Sequence, residues 1–146
     1  MTALIPDPEK VIISALEHYM PDLVTNGRSR VYSQAPKEWD KQSFLVVRAT
    51  GGGASRYPHL YAVCYFEVEA FAHQRGEASL LARRAGASMS QASREGYRYE
   101  APQEAGYLFG LREVNAPSLV YDGLSSKHGD TFMFQGTYQI SVRALR

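Results

Sequence analysis

YAVCYFEVEAF, residues 61–71, alternates with a period of two. The even positions Ala62, Cys64, Phe66, Val68 and Ala70 are all apolar, whereas the odd positions include Tyr61, Tyr65, Glu67 and Glu69. Successive side chains of a strand point to opposite faces, so this stretch is a strand with one core face and one amphipathic face. Cys64 falls on the core face and is read as an inert buried thiol, because a nucleophilic cysteine needs an accessible, electropositive setting. Glu67 and Glu69 share the other face, as paired catalytic carboxylates would. Their regular alternation with core residues favours a solvated or inter-subunit face instead.

Upstream, FLVVRAT (44–50) is a second strand by its β-branched and aromatic content. Gly51, Gly52 and Gly53 stand between the two strands. A phosphate-binding loop requires G-x-x-x-x-G-K-[ST] at a strand-to-helix junction, where the lysine and the helix N-terminus hold the phosphates. Here ASRYPHLY and then a strand follow, with no lysine and no helix. The glycines therefore read as the exit of a core strand into a loop carrying Arg56, Tyr57 and His59.

Before these strands, DPEKVIISALEHYM has Asp7 at an N-cap, Pro8 at the first helical position and Glu9 in the first turn. Val11, Ile12, Ala15, Leu16, Tyr19 and Leu23 form one apolar stripe, and Pro21 ends or kinks the helix near Met20. RVYSQ reads as a short edge strand, and Trp39 lies in the charged loop that follows, either folded over the core or anchoring a partner. From Glu77 to Ser93, Ala78, Leu81, Ala85, Met89 and Ala92 trace a second helix, with Gly86 allowing close approach to a sheet. YLFGLREVN reads as a strand, and PSLVYDGLSSKHGD as containing a turn or mobile loop. TFMFQGTYQISVRAL closes the chain as its clearest strand, with Phe132, Phe134, Tyr138, Ile140, Val142 and Ala144 on one face. The order predicts an α+β fold, a mostly antiparallel sheet with two helices packed on one face, in a single domain spanning residues 1–146.

The 16 basic and 15 acidic residues leave a formal charge of +1, so no broad field draws the chain to nucleic acid or an anionic membrane. One cysteine excludes an internal disulfide framework and multi-cysteine zinc patterns, and suits a reducing compartment. No window approaches the roughly 20 apolar residues that span a bilayer, and MTALIPDPEK is no export signal, so a soluble, non-exported protein is expected. His18, His59, His73 and His128 are scattered without metal-ligand spacing, and no G-x-S-x-G elbow occurs; neither a metal nor a cofactor is expected. The ten tyrosines include Tyr57, Tyr97, Tyr99 and Tyr121 at positions where no core is expected, and tyrosine suits protein interfaces.

The layout resembles the tail-terminator, or tail-completion, proteins of long-tailed bacteriophages. VIISALEHYM leads to FLVVRATGG, then to YAVCYFEVEAF, an Ala-rich helix ASLLARRAGASM and a C-terminal TFMFQGTYQISVRAL. The most specific piece is the apolar-R-x-T-G-G junction, and the link REGYRYEAPQEAGY departs from the pattern. The resemblance implies a non-enzymatic virion protein assembled in the host cytoplasm. It implies a ring, usually a hexamer, that caps the tail tube, stops its polymerisation and joins the tail to the head connector. Its partners would be other copies of itself, the major tail tube protein and the head-tail connector, with DNA passing through the ring, no sequence-specific nucleic-acid contact and no membrane.

Two other readings compete. One is a neighbouring neck or connector ring; the other is a small α+β enzyme or ligand-binding domain with a cleft near Arg48, Glu67 and His59. Candidate contacts with neighbouring subunits or the tube are Arg48, Gly51, Gly52, Gly53, Arg56, Tyr57, His59, Glu67, Glu69, Asp122, Lys127 and His128. Long polar connections between good strands are where assembly proteins concentrate their contacts.

Overall fold

The Asp7 carboxylate accepts the Glu9 backbone N–H at 3.1 Å, and Pro8 supplies a preset φ, so α1 (Pro8–Tyr19) starts where the caps dictate. Pro21 stops it, since a proline there has no N–H to continue the ladder, and a single 3-10 turn (Pro21–Leu23) follows. The computed structural model describes residues 4–37, 42–53, 57–121 and 131–145. Trp39 lies outside them.

Asn26 and Gly27 both have positive φ, 51° and 74°, as a two-residue hairpin turn of the mirror-image type requires. They join β1 (Val24–Thr25) to β2 (Arg28–Ser29) in a small hairpin. β3 (Val31–Tyr32), β4 (Phe44–Gly53), β5 (Tyr61–Ala72), α2 (Arg75–Glu95), β6 (Arg98–Glu100), β7 (Ala105–Tyr121) and β8 (Phe132–Ala144) complete the order. The main sheet has six strands in the order β3-β4-β5-β8-β7-β6. All its neighbours are antiparallel except β3 and β4. At its centre β5 pairs with β8 without interruption, from Tyr61↔Arg143 to Ala72↔Phe132.

The even residues of β5 and β8 face both helices, as their alternation predicts. Val11, Ile12, Ala15 and Leu16 of α1 and Leu81, Ala85, Met89 and Ala92 of α2 meet Val47, Phe66, Val68, Tyr138, Ile140 and Val142 in one buried cluster. The α+β architecture with two helices against an antiparallel sheet is the one expected. Tyr138 is 1% exposed and stacks on Phe66 at 5.4 Å. Its hydroxyl lies 2.8 Å from where a Cβ would stand on Gly86 of α2 and on Gly136 of β8. On the opposite face Phe44 and Phe71 stack at 4.7 Å beside Val46, Met133 and Tyr32 as a second, smaller apolar cluster.

Three local expectations are corrected. Gly51, Gly52 and Gly53 do not leave the sheet: β4 bulges between Ala49 and Gly51, then pairs Gly51↔Tyr65, Gly52↔Cys64 and Gly53↔Val63. β7 runs beyond the expected YLFGLREVN, through Pro117 and Leu119 to Tyr121, with register shifts at four places along β8; the turn or loop expected further on falls at 122–130, outside the described residues. Tyr97 and Tyr99 turn inward and pack against the core, and the Tyr97 and Ser14 hydroxyls hydrogen-bond at 2.6 Å.

Candidate assembly surface

The helix-free face of β4 and β5 brings three of the candidate residues together. Arg48 stands directly opposite Glu67, and Val46 opposite Glu69. The Arg48 guanidinium nevertheless reaches diagonally, Nε lying 2.8 Å from Glu69 Oε1. This is an ion pair in contact rather than a well-aligned hydrogen bond, since Oε1 has no hydrogen-bond partner among the described residues. The Glu69 side chain is only 10% exposed, against 51% for Arg48. Glu69 is therefore not on a solvated face, and the physical reason is its place next to the apolar Phe44, Val46, Phe71 and Met133 cluster. Burial pushes its pKa above the ordinary carboxylate value, with a smaller push from Glu67; Arg48 opposes both. Glu67 is half-buried and pairs across to Thr137 of β8.

Further along, the strand is bare. Arg48, Ala49, Thr50, Gly51 and Gly52 are five consecutive exposed residues. Gly51 holds φ +156°, where an L side chain is strained, and a Cβ on Gly53 would stand 2.8 Å from Val63 Cγ1. Backbone geometry and close packing on β5 thus account for two of the three glycines. The Thr50 hydroxyl donates to Tyr65 O at 3.2 Å, stitching the bulge to β5. The Ala49 N–H turns away from β5 and donates to the Glu9 carboxylate of α1 at 3.0 Å. By sequence Glu9 is only a first-turn helix residue; no periodicity can place it on the edge of a strand 40 residues away.

Tyr57 and His59 sit in the turn before β5, closed by Leu60 N–H and Tyr61 N–H donating to Tyr57 O. Both are exposed, Tyr57 by 49%. They lie near Gly53, which pairs with Val63, rather than near Arg48. From Tyr61 to Glu67 the strand alone spans about 20 Å, so His59 does not join Arg48 and Glu67 in a cleft. Arg56, Asp122, Lys127 and His128 lie outside the described residues.

On the far side of the sheet β6 pairs only with Ala105, Gly106 and Tyr107 of β7. Residues 112–116 of β7 are all exposed, Val114 by 41%, and Val120 is exposed by 50%. Nothing in the sequence assigns this strand a role. Elsewhere the chemistry is quiet. Burial pushes the Cys64 thiol up to about 11, which suits an inert core residue. Among the described residues no three His, Cys, Asp or Glu side chains are placed to hold a metal ion, and no helix is long and apolar enough to cross a membrane.

No protein-family model matches the chain, and no curated protein matches it by sequence. Among solved structures it is similar to a chain of a structure described as "Virion of native gene transfer agent (GTA) particle". The TM-score is 0.57 and the identity 15%, over 93% of this chain and 94% of that chain. The two chains share a fold across nearly their whole lengths.

Proposed function

We propose that the chain is a structural virion protein of the tail-terminator kind. In this reading it forms a ring, usually of six copies, that caps the tail tube, stops its growth and joins the tail to the head connector. The observation that carries the reading is the fold likeness, over almost all of both chains, to a component of a virion particle. The layout resemblance to tail terminators supports it independently. The protein acts by binding and not by catalysis. It takes no cofactor, assembles in the host cytoplasm as one domain, and lets DNA pass through the ring without reading sequence.

The proposed contacts with neighbouring subunits or the tube are Arg48, Gly51, Gly52, Gly53, Arg56, Tyr57, His59, Glu67, Asp122, Lys127 and His128. Glu69, being buried, contributes by holding Arg48 in place. The fold likeness supports a neighbouring neck or connector ring equally, because it names a particle and not a layer. Mass measurement of the purified protein, alone and mixed with its tube protein, tests the proposal. Rings or tube-bound oligomers are expected; a strict monomer that does neither overturns it. Imaging of particles would then separate a terminator at the tube end from a connector above it.

A further inference from the structure

The six-stranded sheet ends on both sides in very short strands. β3 covers only Leu45 and Val46 of β4, and β6 covers only residues 105–107 of β7. Two long strands are therefore bare along most of their outer edges among the described residues. An uncovered edge is a template for another chain, and proteins that must stay apart blunt it with charge, proline or bulges. β7 carries such devices in Arg112, Glu113, Pro117 and its four register shifts, which keep off an unmatched strand and leave only a partner edge that is itself small and uncharged. The β4 edge from Ala49 to Gly53 has one bulge, between Ala49 and Gly51, but no charged residue and no proline.

It has something else. Leu45 N–H points outward to Arg30 O of the chain leading into β3, at 2.9 Å. With a period of two, Val47 and Ala49 also turn outward. The Ala49 N–H meets no strand; the Glu9 carboxylate occupies the place where a neighbouring strand's carbonyl would sit. Glu9 and Ala49 form an exposed contact, so an incoming backbone can displace the carboxylate into water.

Resting on the ring reading above, we infer that the subunit joint is a sheet joint: the β4 edge at Val47 to Gly52 of one copy pairs with the β7 edge at Arg112 to Ala116 of the next. The strand directions allow a second copy set head to tail, and the ring reading selects it over a two-fold β4-to-β4 pairing, which would close a dimer. β4 and β7 are separated by three antiparallel steps, through β5 and β8, so they run in opposite directions. A copy placed beside β4 with its helices on the same face presents β7 antiparallel to it. The same step repeated joins every copy to the next through different edges, and such heterologous contacts close into rings. Side chains near the joint offer little obstruction on one side, where Ala49, Gly51 and Gly52 stand, and the exposed Val114 on the other.

Two variants test this by size-exclusion chromatography with mass measurement and by mild oxidation. Ala49→Pro removes the outward N–H and leaves the bonds to β5, so it is expected to lose oligomers while keeping the circular dichroism of the wild type. Thr50→Cys combined with Arg112→Cys, Val114→Cys or Ala116→Cys is expected to give a ladder of covalent multimers in at least one pairing. Each single variant gives no species beyond a dimer, Cys64 being buried. Wild-type rings with intact Ala49→Pro rings and no ladder from any pairing overturn the sheet joint and leave the ring standing. A wild type that stays monomeric at every concentration overturns both. If Ala49→Pro fails to fold, the cysteine pairs alone decide.

Discussion

The Tyr138 hydroxyl fills the space that a side chain on Gly86 or Gly136 would need, yet the two glycines are not equivalent. At Gly86 an added Cβ meets the hydroxyl at 2.8 Å and the next ring atom, Cζ, only at 3.6 Å. At Gly136 the ring itself is in the way, with Cε2 at 3.0 Å and Cζ at 3.1 Å. Overpacking a tight core costs about 1–3 kcal/mol. Gly86→Ala and Gly136→Ala should both lower the urea midpoint by that order. Tyr138→Phe in the same chain should restore most of the loss at Gly86 and little of it at Gly136.

The Arg48 and Glu69 pair is asymmetric in a second way. Removing Arg48 strands a buried carboxylate, whereas removing the charge of Glu69 frees a half-exposed guanidinium into water. Arg48→Ala is expected to cost about 1–3 kcal/mol, and Glu69→Gln distinctly less, in the same denaturation assay. The pH dependence has a definite sign. The folded pKa of Glu69 is raised, chiefly by burial, so its contribution is fully present below the unfolded value and is lost as pH rises through the folded one. Glu69→Gln should therefore gain on the wild type as pH rises across that window. Asp22, whose pKa Arg84 lowers, has the opposite slope, but it is present in both proteins and cancels from the difference.

At the scale of elements, α2 ends on Gly96 in the left-handed conformation, φ +63°, with its N–H donating back into the last turn. Gly96→Ala should cost about 1–2 kcal/mol; a thermal scan of the variant checks it. At their C-terminal ends the helices are tied together by a hydrogen bond from the Tyr19 hydroxyl to Glu95 and by His18 and Tyr97 rings 5.5 Å apart. Elements like these are legible in proportion to how regular they are. β5 and β8 keep strict alternation, and α1 carries three start signals, so the sequence places them and their buried faces. β7 reads as shorter than it is because each bulge shifts the parity of the residues beyond it, and Pro117 looks like a breaker when no neighbour is known. β3 and the hairpin at Asn26 and Gly27 have strands of two residues, too short for any period. For the surface, strand parity puts Glu67 and Glu69 on one face, but the register that sets Arg48 opposite Glu67 and the burial of Glu69 beside Phe44 and Met133 depend on other strands. Tyr97 escapes a sequence reading for the same reason, its hydroxyl being satisfied by Ser14, 83 residues away.

At the scale of the whole molecule, the ring proposal requires that folding and joining be separable. Replacing Arg56 and Tyr57 together by Ala is expected to weaken ring formation several-fold while leaving the unfolding midpoint of the monomer unchanged; sedimentation at matched concentrations measures the first and urea titration the second. Tyr57, half-exposed in its turn, has little core packing to lose. The central pairing of β5 with β8 also sets a timetable. Cys64 of β5 lies beside Ile140 of β8, 76 residues further along the chain. Contacts so distant along the chain form late and slowly. On a ribosome the β4 and β5 hairpin must wait, with the inner edge of β5 uncovered, until β8 has emerged. Newly made chains thus pass through an interval in which the middle of the sheet is open, and that interval is their time of greatest exposure to aggregation and to chaperones.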